Sequence, residues 1–139
     1  MAHFVMKDAV VTVDGVNLSD HVSEVSMETE RDEVDVTAMG ANNRVFVAGL
    51  GDATMTVTFF QDFAAAEVDA TLWPLSTSNT AFVVSIKASS AATSATNPLF
   101  SMTALMYGYS PLSGGIGDAS STEVTFRNAA QAGLTRATA

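Results

Sequence analysis

The residues best able to do chemistry are five carboxylates in one short stretch: Glu28, Glu30, Asp32, Glu33 and Asp35. Two carboxyl groups can act as general acid and base, but only when one of them is desolvated in a cleft. Polar and apolar residues alternate through this stretch as they do in a strand, which places the carboxylates in a row that faces water. The pattern therefore favours a solvated acidic face over a catalytic pair.

Metal chemistry has few candidate ligands in this chain. There is no cysteine, and a transition-metal site would need both histidines, His3 and His21, together with carboxylates. Oxygen ligands recur between Asp14 and Asp20, but no glutamate follows to close a calcium loop. Asp14-Gly15 is a strong tight-turn signal instead. We predict no metal site.

Other catalytic motifs are not recognisable. The glycine-rich stretch 114–117 is followed by no lysine and opens no predicted helix, unlike a phosphate-binding loop. No serine lies in a nucleophile-elbow pattern, and neither histidine has an evident partner. The residues therefore predict no enzyme and no cofactor.

The charge of the chain is acidic and unevenly distributed. The formal net charge is −9. Residues 1–69 contain thirteen acids and three bases, a charge of −10, whereas residues 70–139 contain two acids and three bases, a charge of +1. Such a chain repels nucleic acid, so sequence-specific binding to DNA or RNA is disfavoured. Acidity also keeps proteins soluble, which is the simpler interpretation.

One strand and one helix form the centre of the predicted fold. Residues 53–60 alternate apolar residues with threonine, which is typical of a half-buried strand. Beyond residue 61 apolar residues recur every four positions, as on one stripe of a helix. We predict that Asp62 caps this helix and that Pro74 stops it. The predicted packing residues of the helix are Val68, Leu72 and Trp73.

Other alternating or apolar stretches predict the remaining strands. Near residues 32–33 the alternation changes phase, which predicts a β-bulge or a tight turn. We predict one domain over residues 1–139, mainly β, a sandwich or barrel of about seven or eight strands with one flanking α-helix. The segment from about 129 to 139 has no pattern, and we expect a flexible tail there. The remaining predicted strands are 9–13, 16–18, 21–31, 44–48, 81–88, 99–110 and 121–127.

The sequence contains no pattern typical of a membrane span or a secretory leader. A bilayer-spanning helix needs about 20 consecutive apolar residues, and no such run is present. Residues 1–8 lack the basic and apolar regions of a signal peptide. We expect a protein made and folded in a cytoplasm.

Several segments resemble a known family in order and spacing. Residues 5–22, VMKDAVVTVDGVNLSDHV, resemble the opening of the tail tube proteins of long-tailed, siphovirus-type bacteriophages, especially those that infect actinobacteria. The resemblance covers most of the chain and is weakest over residues 89–97 and after residue 129. The segments that continue it in the same order are 28–40, 48–50, 54–63, 72–75 and 121–126.

The resemblance implies a β-sandwich subunit that forms hexameric rings, stacked into a hollow tube whose inner barrel is built by strands of every subunit. It implies a location in the virion, after assembly in the host cytoplasm. The implied partners are further copies of the chain, the tape measure protein, the distal tail and tail terminator proteins, and viral DNA that passes through the lumen without specific binding; no membrane is implied. The acidic face would line the lumen with Glu24, Glu28, Glu30, Asp32 and Asp35. Loops that contact other subunits or rings would contain Gly40, Asn42, Asn43, Ser89, Ser90, Thr93 and Asn97.

Other interpretations remain open at the level of sequence. The acidic strand face could simply be an outward, solvated surface. The chain could also be a β-sandwich module that binds carbohydrate or a host, although such modules present exposed aromatic residues and most phenylalanines here lie on apolar strand faces. A capsid decoration protein and a tail completion protein are further alternatives.

Overall fold

A computed structural model describes residues 3–139 as a mainly β structure with one α-helix. This confirms the predicted fold class. Within the described residues, none of the helices is long and apolar enough to cross a membrane. The strands are β1 (Val10–Val13), β2 (Val16–Asn17), β3 (Val22–Asp35), β4 (Phe46–Phe60), β5 (Phe82–Lys87), β6 (Leu99–Met106), β7 (Ser121–Asn128) and β8 (Thr135–Ala137), and the helix is α1 (Val68–Ser76).

The strands form a single antiparallel sheet in the order β2-β1-β5-β6-β7-β4-β3, with β8 paired to the first half of β6. The sheet curls so that its two halves share one core. Val11 and Val84 from one half belong to the same buried cluster as Val57 and Val124 from the other, and all four are fully buried. The alternation of apolar residues along each strand supplies this core, because every second side chain points inward.

The helix α1 packs beside β6 through residues spaced three and four apart. Val68 and Leu72 are fully buried, as predicted, and Leu75 continues the stripe. Trp73 does not belong to it, which corrects the prediction. Its side chain is 54% exposed, because its position points away from the stripe. The indole contacts Tyr109 at the surface, with ring centroids 6.5 Å apart.

The boundaries of α1 also differ from the prediction. The helix begins at Val68, since residues 61–67 form a turn in which the Asp62 carboxylate accepts a hydrogen bond from the Ala64 amide at 2.9 Å. Pro74 does not stop the helix, which continues to Ser76. Proline removes only one backbone donor near the end of so short a helix. The Ser76 hydroxyl donates to the carbonyl of Trp73 at 2.7 Å, which satisfies one of the free acceptors there.

The hairpin of β3 and β4 is much longer than the rest of the sheet. β7 pairs with β4 only from Thr54 onward, so residues 31–51 extend beyond the sheet as a two-stranded arm. The predicted irregularity lies between Arg31 and Glu33, as expected. The extra residue is in β4, however, where two residues stand opposite Asp32, and β3 keeps its own alternation.

Two segments without a hydrophobic pattern, the expected tail and the loop 88–98, are held by defined contacts. The expected tail contains β8, and the Thr135 hydroxyl lies 2.9 Å from that of Ser101 on β6. In the loop 88–98, the buried Asn97 amide donates to the carbonyls of Ser89 and Ala91 at 3.3 and 2.9 Å. Neither segment had a hydrophobic pattern, because strand pairing and polar contacts hold most of their residues, and Leu134 is the residue of the two that packs against the core.

Candidate functional surfaces

The outward face of strands β3, β4 and β7 is polar along its middle, with Leu105 of β6 and Phe60 of β4 at its margins. Its rows follow from the register: Glu24 lies opposite Thr58, which lies opposite Glu123 on β7. Threonines of β4 occupy the middle of the face and are partly buried between their neighbours, whereas the glutamates are exposed. The charged side chains on this acidic face are Glu24, Glu28, Glu30, Asp52, Glu123 and Arg127.

The acidic face carries five carboxylates and one guanidinium, a formal charge of −4. Glu30 and Asp52 stand directly opposite each other, which is an unfavourable cross-strand pair. Arg127 relieves it, since its Nη2 lies 3.0 Å from Asp52 Oδ2. Both partners of this ion pair are half exposed, so we assign it little stability. No other described ion pair balances the remaining carboxylates of the face.

The structure brings together only part of the predicted acidic group. Glu24, Glu28 and Glu30 share the acidic face, and Asp32 follows on the same side of β3, beyond the sheet. Asp35 lies on the opposite side of the strand, which corrects its assignment to this face. There it bonds to Thr37 and to Arg44 at 3.1 Å, and these contacts hold the pKa of Asp35 below its ordinary value.

Sequence reasoning missed Asp52, Glu123 and Arg127 as members of the acidic face. Glu123 and Arg127 alternate with the buried residues of β7, and that period of two was the available signal. The strand order was not available, so nothing indicated that β7 lies beside β4. The register between strands, and not the pattern within any one strand, brings the residues of the acidic face together.

The arm of residues 31–51 is exposed along its whole length. It nevertheless carries seven large apolar side chains, and so much exposed apolar surface on a two-stranded ribbon is typical of an interaction site. Its tip contains the predicted loop residues Gly40, Asn42 and Asn43, with Gly40 in the left-handed region at φ +88°. The apolar side chains are Val34, Val36, Met39, Val45, Phe46, Val47 and Leu50.

The second predicted contact loop lies at the same end of the sheet as the arm, because β4 and β6 both begin there. In it the Ser90 hydroxyl donates to Asp8 at 2.7 Å, which lowers the pKa of that carboxyl. Ser89, Ser90 and Thr93 remain at the surface or partly so, while Asn97 is buried as the internal brace of the loop. Asn97 is therefore a poor contact residue, contrary to the prediction.

The opposite end of the sheet also exposes apolar side chains. β4 ends there, and the connections 61–67 and 107–120 cover that end. The two ends thus differ in structure but both offer apolar surface, with a polar acidic face between them. The exposed apolar residues of this second end are Phe60, Phe63, Tyr107, Leu112 and Ile116.

One cluster resembles a metal site in its residue types. Among residues 3–139, ligand atoms of Asp20, His21 and Glu67 lie within 4.8 Å of one another. Both ring nitrogens of His21, however, face carboxylates at hydrogen-bond distance, which is the geometry of a protonated imidazolium. A positively charged ring repels a cation, so we assign no metal to this cluster.

Comparison with solved structures places these surfaces on a known scaffold. The chain is similar to a chain of the native gene transfer agent virion, at 12% identity and a TM-score of 0.76 over 96% of this chain and 98% of that one. It is also similar to the SPP1 tail tube, at 11% identity and a TM-score of 0.73 over 95% of this chain and 77% of that one. The chain has the tail-tube fold.

The tail-tube fold extends to injection systems. A chain of the sheath–tube complex of an extracellular contractile injection system matches at 12% identity and a TM-score of 0.69, over 94% of this chain and 88% of that one. No protein-family model and no curated protein matches the sequence. The likeness is therefore one of fold, since identities this low do not carry residue roles.

Proposed function

We propose that this chain is the structural subunit of a siphovirus-type phage tail tube, which polymerises as stacked hexameric rings. The observation that carries the proposal is the combination, on a tail-tube fold, of a long exposed apolar arm with an acidic, threonine-rich sheet face. A similar chain belongs to a gene transfer agent tail with C6 symmetry, which supports six subunits per ring. The protein acts as a building block of the virion and performs no catalysis.

In this proposal the acidic face lines the lumen of the tube. A charge of −4 per subunit becomes strongly negative when six copies surround one channel. DNA phosphates are repelled by such a wall, so the duplex moves past it without sticking. The threonine hydroxyls keep the middle of the wall wetted, and the exposed rings of Phe60 and Tyr107, on which bases could stack, lie at its margins.

The arm supplies the contact between successive rings in this proposal. Exposure of its apolar side chains to water is unfavourable, and burial against another copy of the chain removes that exposure. The two ends of the subunit are different surfaces, so a contact between them is head-to-tail and generates an open stack.

The free edge of β3 pairs laterally with the next subunit of the ring. The tape measure protein and the distal and terminator proteins of a tail would meet the same lumen and ends.

Negative-stain electron microscopy and sedimentation velocity of the purified protein test the proposal. We expect hollow tubes or six-membered rings at neutral pH. Val36→Ser on the arm should abolish long tubes, whereas Val83→Ser, at a similarly exposed valine of β5, should leave them intact. Equal tube lengths for the two variants would exclude the arm from stacking. A chain that stays monomeric even when offered a tail-tip template is not a tube subunit.

One observation favours a second candidate, a carbohydrate-binding module. Trp73 is exposed beside Tyr109, and paired surface aromatics are typical of sugar-binding platforms. Titration with a glycan panel, monitored through Trp73 as the single tryptophan, separates the candidates. A saturable change in emission with one glycan, together with a monomeric state, would favour the module.

A further inference from the structure

His21 lies at the centre of an ion cluster that joins two distant parts of the chain. Its Nδ1 is 2.9 Å from Asp20 Oδ1 and 3.4 Å from Glu67 Oε2, and its Nε2 is 2.8 Å from Asp62 Oδ2. Among residues 3–139, these three carboxylates are the charged groups within 4.0 Å of the ring nitrogens. The ring side chain is only 17% exposed. The cluster therefore connects the start of β3 to the turn 61–67.

The carboxylates on the far side of the cluster hold the turn and the start of α1. Besides contacting His21, Asp62 accepts from the Ala64 amide through its other oxygen and from the Asp69 amide through its carbonyl. Glu67 is the N-cap residue of α1 but makes no side-chain capping bond, because its carboxylate turns toward His21 instead. The cluster thus anchors the first turn of the helix together with the buried Val68 side chain and the hydrogen bond from Tyr109 to Asp69.

The turn contains a strained residue beside this anchorage. Ala66 has φ +63°, in the left-handed region that residues with a Cβ adopt only at a cost of roughly 1 kcal/mol or more. An adjacent attraction is needed to keep such a residue in place. The hydrogen bond from the Glu67 amide to the Ala64 carbonyl, at 3.2 Å, and the attraction between the Glu67 carboxylate and the His21 ring both contribute to it.

We propose that His21 is a pH-dependent latch, whose protonated ring fixes the turn 61–67 and the start of α1 and whose deprotonation releases them. A neutral imidazole has one N–H and one lone pair. If the N–H stays on Nε2 and keeps its bond to Asp62, the lone pair of Nδ1 faces Asp20 and Glu67. Asp20 is exposed and can rotate away, so the contact that is lost is the one between the ring and Glu67, the N-cap residue of α1.

Electrostatics supports the same direction. Burial alone would lower the pKa of His21, but the carboxylates of Asp62, Asp20 and Glu67 outweigh it and raise the pKa above its ordinary value. A histidine with a raised pKa in the folded state contributes its full stability below about pH 6.5 and loses it as the pH rises through the folded value. The hydrogen bonds from Ala64 and His21 keep the pKa of Asp62 low. The latch is therefore closed below the raised pKa of His21 and opens as the pH rises through it.

Two measurements on the unassembled protein test the latch between pH 5 and 9. NMR of the histidine C–H signals follows the titration of His21, and emission from Trp73, which lies on α1, reports movement of the helix. We expect His21 to titrate above 6.5 and the emission to change with the same midpoint. His21→Gln should abolish the emission change, and His3→Gln, at the exposed second histidine, should preserve it.

Two further variants distinguish a latch from a merely structural ion pair. Glu67→Gln should lower the titration midpoint of His21, because it removes one carboxylate, and should shrink the emission change. Ala66→Gly should also shrink it, because relief of strain leaves the turn in place when the ring is neutral. A pH-dependent emission change that persists in His21→Gln would overturn the proposal, as would a His21 midpoint at or below 6.5.

Discussion

At the scale of single residues, Tyr109 shows how a surface connection is held. Its hydroxyl donates to Asp69 Oδ1 at 2.9 Å and accepts from Gln61 Nε2 at 2.9 Å, and the same amide group reaches the carbonyl of Pro111 at 2.7 Å. One phenol thus joins the end of β4, the start of α1 and the long connection before β7. Burial raises the pKa of Tyr109 to about 12, opposed by the bond from Gln61 and supported by the Asp69 carboxylate.

Replacement of this phenol gives a prediction at the residue scale. Tyr109→Phe should lower the free energy of unfolding by about 1–2 kcal/mol at neutral pH, since it leaves two partly buried polar groups without their partner. The native protein should also lose stability as the pH rises from about 10 to about 12, because the unfolded phenol ionises first. Urea unfolding at several pH values measures both effects.

The control for Tyr109 is the other tyrosine. Tyr107 is 74% exposed, so Tyr107→Phe should leave the unfolding midpoint unchanged at neutral pH and should retain the alkaline loss of stability. If Tyr109→Phe showed the same alkaline loss as the native chain, the tyrosine would not be its source.

At the scale of elements, the arm is a consequence of unequal strand lengths. β4 has fifteen residues and β7 has eight, so the first half of β4 can pair only with β3. An isolated ribbon of this kind is marginally stable in water. The irregularity at Arg31–Glu33 lies where the arm leaves the sheet, and Gly49 sits at this point with its backbone against β3.

Gly49 provides a prediction at the scale of the element. A Cβ at this position would lie 3.0 Å from Asp32 Cβ and from Val34 Cγ2, whereas a Cβ at Gly51 would meet nothing closer than 3.6 Å. Gly49→Ala should therefore loosen the arm, by about 1–3 kcal/mol of local stability, and Gly51→Ala should not. Hydrogen exchange of the amides at residues 33–36 measures this. Equal exchange in the two variants would mean that the arm accommodates a Cβ at position 49 without loss of stability, which would contradict the prediction.

At the scale of the whole molecule, the acidic face and the outer surface of β5 belong to opposite half-sheets. If the acidic face lines a lumen, the two surfaces are equally accessible to large reagents in the single chain and differ in accessibility only after assembly. The chain contains no cysteine, so a single introduced thiol reports the position of one residue without background.

Thiol labelling of Thr125→Cys, on the acidic face, and of Val83→Cys, on β5, tests this assignment. Both side chains are exposed in the single chain, so both should react with any maleimide before assembly. In tubes, a small maleimide should still label both, but a maleimide coupled to a protein wider than the bore should label only Val83→Cys. Rapid reaction of Thr125→Cys with the bulky reagent would place the acidic face outside.

Much of the fold was predictable because local periodicity carries it. The alternation of β4 placed its buried residues correctly, and the stripe of α1 identified Val68 and Leu72. Trp73 was misassigned because hydrophobicity alone does not distinguish a core position from its neighbour on a short helix. The acidic face was found in part: Glu24, Glu28 and Glu30 share one strand, but its other members come from strands that are distant in sequence.

The amino-acid sequence alone specifies which residues alternate, that the ladder is irregular near residues 32–33 and how acidic the exposed face of β3 is, since these depend on neighbours along the chain. Strand order and register are properties of the tertiary structure. They set the pairing of β7 with β4, the extension of the arm beyond the sheet and the side of β3 on which Asp35 lies. The tertiary structure also decided the cluster at His21, whose partner Asp62 is 41 residues away. A short-range pattern cannot predict such a contact, because the segments that contain His21 and Asp62 meet only when the strands pair and the sheet curls.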